Sequence, residues 1–578
     1  MQVIKLDPSS HLGYEQKRNI LHKVGRHAKA VAVFDMMLSK LEESPEERVR
    51  GTVFPWYQSC LLTWPVELRT RYIDARPEIR RIIHATISHM PQVLIDITTG
   101  RLLDKEEQAQ AFEAGPIFNE LVLSMTARVD SARIRREVKK FYRYVMFSHR
   151  WQHNEPRYKD VKNVTVYKLK VSTGSIKLQT FCSLVRSLGF RWAWSDTCCI
   201  DQENNVVLQE SLVAMFTWYR GSSLTLIYLV GISSLSRIPF GLQNSVWNTR
   251  AWTYQEYVAA EIVQFYTEDW KPYLELSLWN HKESHLVILE MERASRFSAD
   301  QLAVLRPGLD RVREKLYMAS KRETTRVEDI AYSLLGIFNV SIPVIYGEGT
   351  RAVSRFLEHI LTGSGDVTIL AWTGMANVYN SCLPLNLTVY DPLVPPHIPH
   401  MEMAELDQTV AELRSSIPDL SLATTLDDLL NRLPQATLVS SRLHLPCIIF
   451  HITDVVQASE PDEETGIRIY HATTAMLGDI EIKTMSEVTM GHEHYFVHPW
   501  IRPLLDQEYA RGIAWLDKMT HALRLVARLR QSFGALLLEK VSRVEYKRVA
   551  ADSLIMVRVR DEVLLTDLIN NIETIDVQ

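Results

Sequence analysis

Two short stretches hold the residues best suited to chemistry. The first places a hydroxyl, two donor side chains and an indole in a row at Ser148, His149, Arg150 and Trp151. The second supplies Ser195, Asp196, Asp201, Arg250, Trp252 and Glu256. Carboxylates, guanidinium groups and a stacking surface gathered at one edge suit a polar ligand. Trp252 and Glu256 are four residues apart, which puts them on one face of a helix.

Other chemistries find less support. Cys198 or Cys199 with His149 would make a nucleophile and base, but no third orienting group accompanies them, and cysteines behind a strand are usually buried and inert. His149 and His153 have zinc-protease spacing but lack the acid between them, so no metal site is expected. His22, His84 and His89 have no partners at ligand spacing. Neither GxxxxGK[ST] nor GxGxxG occurs, which argues against a nucleotide-driven ATPase engine in this chain.

The elements that must position these residues follow from periodicity. Residues 142–148 (YRYVMFS) read as a short strand ending in a polar loop, and residues 176–190 as a helix with Leu178, Phe181, Cys182, Val185 and Leu188 on one stripe, stopped at Gly189. WAWSDT follows as a strand. Leu208, Leu212, Met215, Phe216 and Tyr219 then fall on one helical face. Residues 224–230 form an uncharged aliphatic run that suits a parallel strand covered on both faces, and residues 262–266 complete the series after the helix that carries Glu256. In such sheets ligands bind at the carboxyl ends of the strands, where the candidate residues fall.

The 578-residue chain is too long for one core and carries a formal charge of −4 with both signs interspersed. No basic field or base-reading helix points to nucleic acid. Six scattered cysteines without framework spacing imply a reduced, cytoplasmic protein, and neither a signal peptide nor a membrane span is expected.

Five segments are expected. Residues 1–138 read as a helical N-terminal region and 139–272 as the α/β domain. A helical layer over the sheet follows at 273–372, with Ala331, Leu334, Leu335 and Phe338 buried and a tight turn at Tyr346-Gly347-Glu348-Gly349. Proline clustering marks 373–437 as a linker with a helical insert, and 438–578 as a β-rich accessory domain.

The ordered series FSHRW, WAWSDTCCIDQ, MFTWYR with LIYLVGI, and TRAWTYQE resembles the motifs of the fungal heterokaryon-incompatibility (HET) domain, in the form found in mushroom-forming fungi. The resemblance runs from Tyr142 to about Val559 and is strongest up to Trp372. Gln152 stands where the family usually has glycine, and Tyr254 where it usually has leucine. The resemblance implies a flavodoxin-like fold similar to TIR domains, and a role in fungal non-self recognition ending in cell death. Some TIR relatives cleave NAD with a glutamate four residues after a helical tryptophan, which carries over here to Glu256 behind Trp252.

That reaction builds positive charge on the ribose, and a fixed carboxylate stabilises it. By their position and chemistry Asp196 and Asp201 would bind sugar hydroxyls, Arg150 or Arg250 the pyrophosphate, and Ser148 and Trp151 would line the site. NAD or a related dinucleotide is the expected substrate, with no resident cofactor. Self-association through the HET domain and an unidentified protein trigger are the expected partners. The alternative is a non-enzymatic TIR-like assembly module, in which Asp196 caps a turn, Arg250 pairs with Glu256 and Trp252 is core.

Overall fold

The computed structural model describes residues 75–125, 129–234, 241–295, 306–391, 401–500 and 517–578, with scattered positions between 13 and 36. Most of the amphipathic run expected to be helical at residues 18–43, and Pro392, Pro395, Pro396 and Pro399 of the expected linker, lie outside the described residues.

The chain divides into two compact units, Met1–Phe147 with Trp151–Asn204 and Gly221–Thr225, and Ser148–Arg150 with Asn205–Arg220 and Leu226–Gln578. In the first, α1 (Arg76–Ile87) precedes a hairpin of β1 (Val93–Asp96) and β2 (Arg101–Asp104). Then come α2 (Lys105–Glu113), α3 (Pro116–Ser124) and α4 (Ser131–Phe141). The expectation of a helical N-terminal region at 1–138 is corrected by this hairpin. Its strands are only four residues each, too short to show a period. The turn is set by Asp96, whose carboxylate accepts from the Thr98 N–H at 3.0 Å, and by Gly100 at φ 73°.

Next in the chain are β3 (Tyr144–His149), α5 (Thr173–Ser187) and β4 (Trp192–Ser195). β3 runs parallel to β4, with Val145 opposite Ala193, whereas β1 pairs antiparallel with both β2 and β4. α5 starts with a Ser172–Ser175 capping box and stops before Gly189 at φ 80°. Helix α6 (Asn205–Gly221), β5 (Leu224–Leu229), α7 (Ala251–Ala259) and β6 (Val263–Thr267) continue the alternation read from the sequence. Hydrogen bonding orders the strands β2-β1-β4-β3-β5-β6, with β3 and β5 each contributing residues to both units. All residues of β3 to β6 are buried, as their uncharged sequences require.

In the second unit Ile227, Leu229, Trp247, Val263 and Phe265 form a common core with Val287 of α8 (His285–Ser295). Helices α9 (Val312–Ala319) and α10 (Arg351–Ser364) flank two short turns of helix in which Ala331, Leu334, Leu335 and Phe338 are buried as expected. The Glu328 carboxylate accepts from the Gly347 and Gly349 N–H groups at 2.8 and 3.0 Å, which fixes the glycine turn.

The C-terminal part is built on β7 (Thr437–Val439), β8 (Arg442–Gln457), β9 (Arg468–Thr474), β10 (Ile480–Thr484), β11 (His494–Pro499), β12 (Phe533–Lys540), β13 (Glu545–Val549), β14 (Ile555–Val557) and β15 (Ile572–Val577). β8, β11, β12, β13 and β15 close on themselves, because β15 pairs with both β13 and β8. The helices expected as a separate insert, α11 (Met403–Ser416) and α12 (Ser421–Arg432), share one core with these strands and with α13 (Lys518–Leu529). Leu406, Val410, Leu426 and Leu430 pack in the same cluster as Phe450, Phe496 and Val526, so the boundary expected at residue 437 falls inside a continuous core.

Candidate functional site

Ser148 is the penultimate residue of β3 and Glu256 lies on α7. The Ser148 hydroxyl donates to Glu256 Oε2 at 2.5 Å and accepts from the Trp247 indole at 2.8 Å. All three are buried, Glu256 being 6% exposed and Ser148 and Trp247 1% each. An indole can only donate, so the single hydroxyl proton is directed at the carboxylate. Glu256 is thus held by polar partners and not by hydrocarbon alone.

A second layer of cations surrounds this pair. Arg250 caps the start of α7 and donates to the His149 carbonyl at 2.8 Å, which ties the end of β3 to the helix. Arg322 donates to the Arg250 carbonyl, to Thr253 Oγ1 and to Asn248 Oδ1 at 3.0 to 3.3 Å, and stacks on the Tyr254 ring at 4.9 Å. Burial pushes the Arg322 guanidinium down to about 10, against the opposing pull of Tyr254 and Glu256. Trp252 is half-buried, and its indole engages the Asp329 carboxyl. The tryptophan joined to Glu256 through Ser148 is therefore Trp247, five residues earlier than Trp252. Neither Trp247 nor Arg322 was found from the sequence: Trp247 precedes the helix whose spacing drew attention, and Arg322 sits in a run of charged residues without pattern.

The loop after Ser148 carries Trp151 into the first unit, where its indole donates to Asp196 Oδ2 at 2.6 Å. Trp151, Arg157, Lys168, Lys170 and Thr197 are among the residues lining a cleft of about 840 Å³, within the size range of small-molecule sites. The cleft wall is held by Glu155, which pairs with Lys177 in a nearly dry ion pair and accepts from the Gln152 N–H at 3.1 Å. Arg150 is exposed, and Asp201 is half-buried with its carboxylate accepting from the Glu203 N–H at 3.1 Å, as a turn-capping aspartate does. A hydrogen bond with Cys199, together with burial, pushes the Cys198 thiol well up, and it is fully buried, so it carries no nucleophilic thiolate.

The five cysteines among the described residues are free thiols, and among the described residues no cluster of His, Cys, Asp and Glu could hold a metal ion. Among the described residues no helix is long and apolar enough to cross a membrane.

Residues 144–241 match the family described as Heterokaryon incompatibility protein (HET). The vegetative incompatibility protein HET-E-1 of Podospora anserina is 34% identical over 233 residues, which cover 38% of this chain and 16% of that protein. No solved structure matches the chain. The matched span starts at the first residue of β3 and includes the Ser148–Trp151 loop, β4 and β5, whereas Trp247, Glu256 and β6 lie beyond its end. Residues 144–241 of this chain therefore carry a HET domain.

Proposed function

We propose that this protein acts in heterokaryon incompatibility as a cell-death effector that hydrolyses NAD or a related dinucleotide in the cytoplasm. The observation that carries the reading is the buried Glu256 carboxylate, held at the carboxyl end of β3 by Ser148 and Trp247. The order β4-β3-β5-β6 is that of the first four strands of a flavodoxin-like sheet, for which ligands bind at strand carboxyl ends.

In the reaction water adds to the anomeric carbon of the nicotinamide riboside, and the bond to nicotinamide breaks. Nicotinamide leaves neutral with the bonding pair, and ADP-ribose and a proton are released. Nicotinamide is a cationic leaving group and needs no general acid, so one carboxylate aimed at the ribose serves the transition state. Within the first unit, the cleft beside Trp151 carries Arg157, Lys168 and Lys170, side chains of the kind that pair with phosphate.

The test is nicotinamide release from NAD by the purified full chain under crowding. Turnover that disappears in Glu256→Gln supports the reading. Absence of turnover in both, with cell killing retained by Glu256→Gln in a fungal host, removes it. The second reading, a HET domain that acts by self-association on an unidentified protein trigger, is favoured by the low exposure of Glu256 and Ser148, which fits a clamp between β3 and α7.

A further inference from the structure

The carboxyl end of β3 carries Ser148; its amino end opens on a different cavity. About 450 Å³ in volume, it is lined by residues of α1 and α4, by Tyr142 to Tyr144 at the start of β3, and by Gly221 and Ser223 ahead of β5. Arg81, Arg135, Lys139 and Arg143 reach it, and no carboxylate is among its lining residues. Arg81 is offset by a fork of two 2.7 Å bonds to Glu78, a carboxylate that also feels Arg135. The net charge of the cavity therefore comes chiefly from Arg135, Lys139 and Arg143.

Three other arginines of the same unit are, by contrast, matched to acids: Arg80 to Glu113 at 2.9 Å, Arg133 to Glu120 at 3.2 Å, and Arg191 to Asp96 at 3.0 Å. Lys139 lies in the last turn of α4 and offsets its dipole, but Arg135 is a turn earlier and Arg143 is beyond the helix end, so the dipole does not account for them. Arg135 and Lys139 are one turn apart and present two cations on one helix face. The Arg143 guanidinium is steadied over the Phe190 ring at 4.7 Å. The lining also includes the apolar side chains of Ile82, Ala85 and Met90, beside Thr86 and His89.

We propose that this cavity binds a nucleoside phosphate, with the phosphates on Arg135, Lys139 and Arg143 and the base on the apolar side chains. A hollow of this volume fits a small molecule better than a nucleic-acid backbone, which calls for an extended basic track. None of Ser148, Trp247 and Glu256 lines this cavity, so the proposal stands whether or not Glu256 is catalytic.

The experiment is calorimetric titration of the full chain with ADP, adenosine, inorganic pyrophosphate and a single-stranded oligonucleotide, repeated on Arg135→Ala/Lys139→Ala. Both side chains are exposed, and Arg143→Gln provides an independent variant. The expected result is salt-sensitive ADP binding that weakens about tenfold or more in the double variant, with adenosine far weaker than ADP. No ADP binding, unchanged affinity in both variants, adenosine binding as well as ADP, or a preference for the oligonucleotide would each overturn it.

Discussion

Trp247 donates its indole N–H to Ser148, and the serine hands its own proton to Glu256, so one hydroxyl satisfies two buried groups 99 and 108 residues away. Removing that hydroxyl leaves an indole and a carboxylate without this partner in a dry setting. Ser148→Ala is therefore expected to cost about 2–3 kcal/mol in urea unfolding, and Glu256→Gln, which keeps an acceptor, clearly less. Equal losses in the two variants would show that the hydroxyl does not bridge them.

The Lys177–Glu155 pair is buried at 3% and 8% side-chain exposure. Lys177→Ala strands the carboxylate and should cost about 3–5 kcal/mol. Lys177→Met with Glu155→Gln removes both charges while keeping an acceptor for the Gln152 N–H, and most of the loss should return. A double-mutant cycle gives the coupling directly; additive losses contradict the buried-pair account.

Gly336 is pressed against Phe216, where an added Cβ would stand 2.1 Å from the phenylalanine Cβ. Gly336→Ala should destabilise by about 3 kcal/mol through overpacking. Gly478 has nothing within 4 Å of the same position, and Gly478→Ala should stay within about 0.5 kcal/mol. Thermal unfolding of the two variants separates steric cost from a general intolerance of alanine.

His281 accepts from the Phe265 N–H at 3.0 Å through Nδ1, and burial lowers its pKa to about 4. The folded protein keeps the ring neutral while the unfolded chain protonates near the ordinary value of 6.5. Stability from this group is complete above about 6.5 and drains away as pH falls toward about 4, where the folded form also takes the proton. Stability measured across that window should fall less steeply in His281→Gln. Parallel slopes would assign the acid sensitivity elsewhere.

The alternation from β3 to β6 was legible because each strand is short, uncharged and bounded by polar or glycine stops. Ser148 and Glu256 were both named from their places at a strand end and on a helix. Their junction through Trp247 was not, since no local period links residues so far apart in sequence. The β1–β2 hairpin escaped because VLID and RLLD are too brief for a pattern, although the Thr-Thr-Gly between them was a turn signal. A helical insert was visible in the sequence where α11 and α12 lie. That their apolar stripes face the C-terminal strands became apparent only when α13 supplied the third helix of that core.

The closed strand ring has a consequence for biogenesis. β8 and β15 meet through positions as far apart as His444 and Asp576, 132 residues distant along the chain. During synthesis β8 must wait, with one seam open, until almost all of that stretch has left the ribosome. Contacts of such span form slowly, and an unpaired strand is sticky while it waits. Ribosome stalling between these two strands should therefore yield insoluble nascent chains, even though every earlier element is already made.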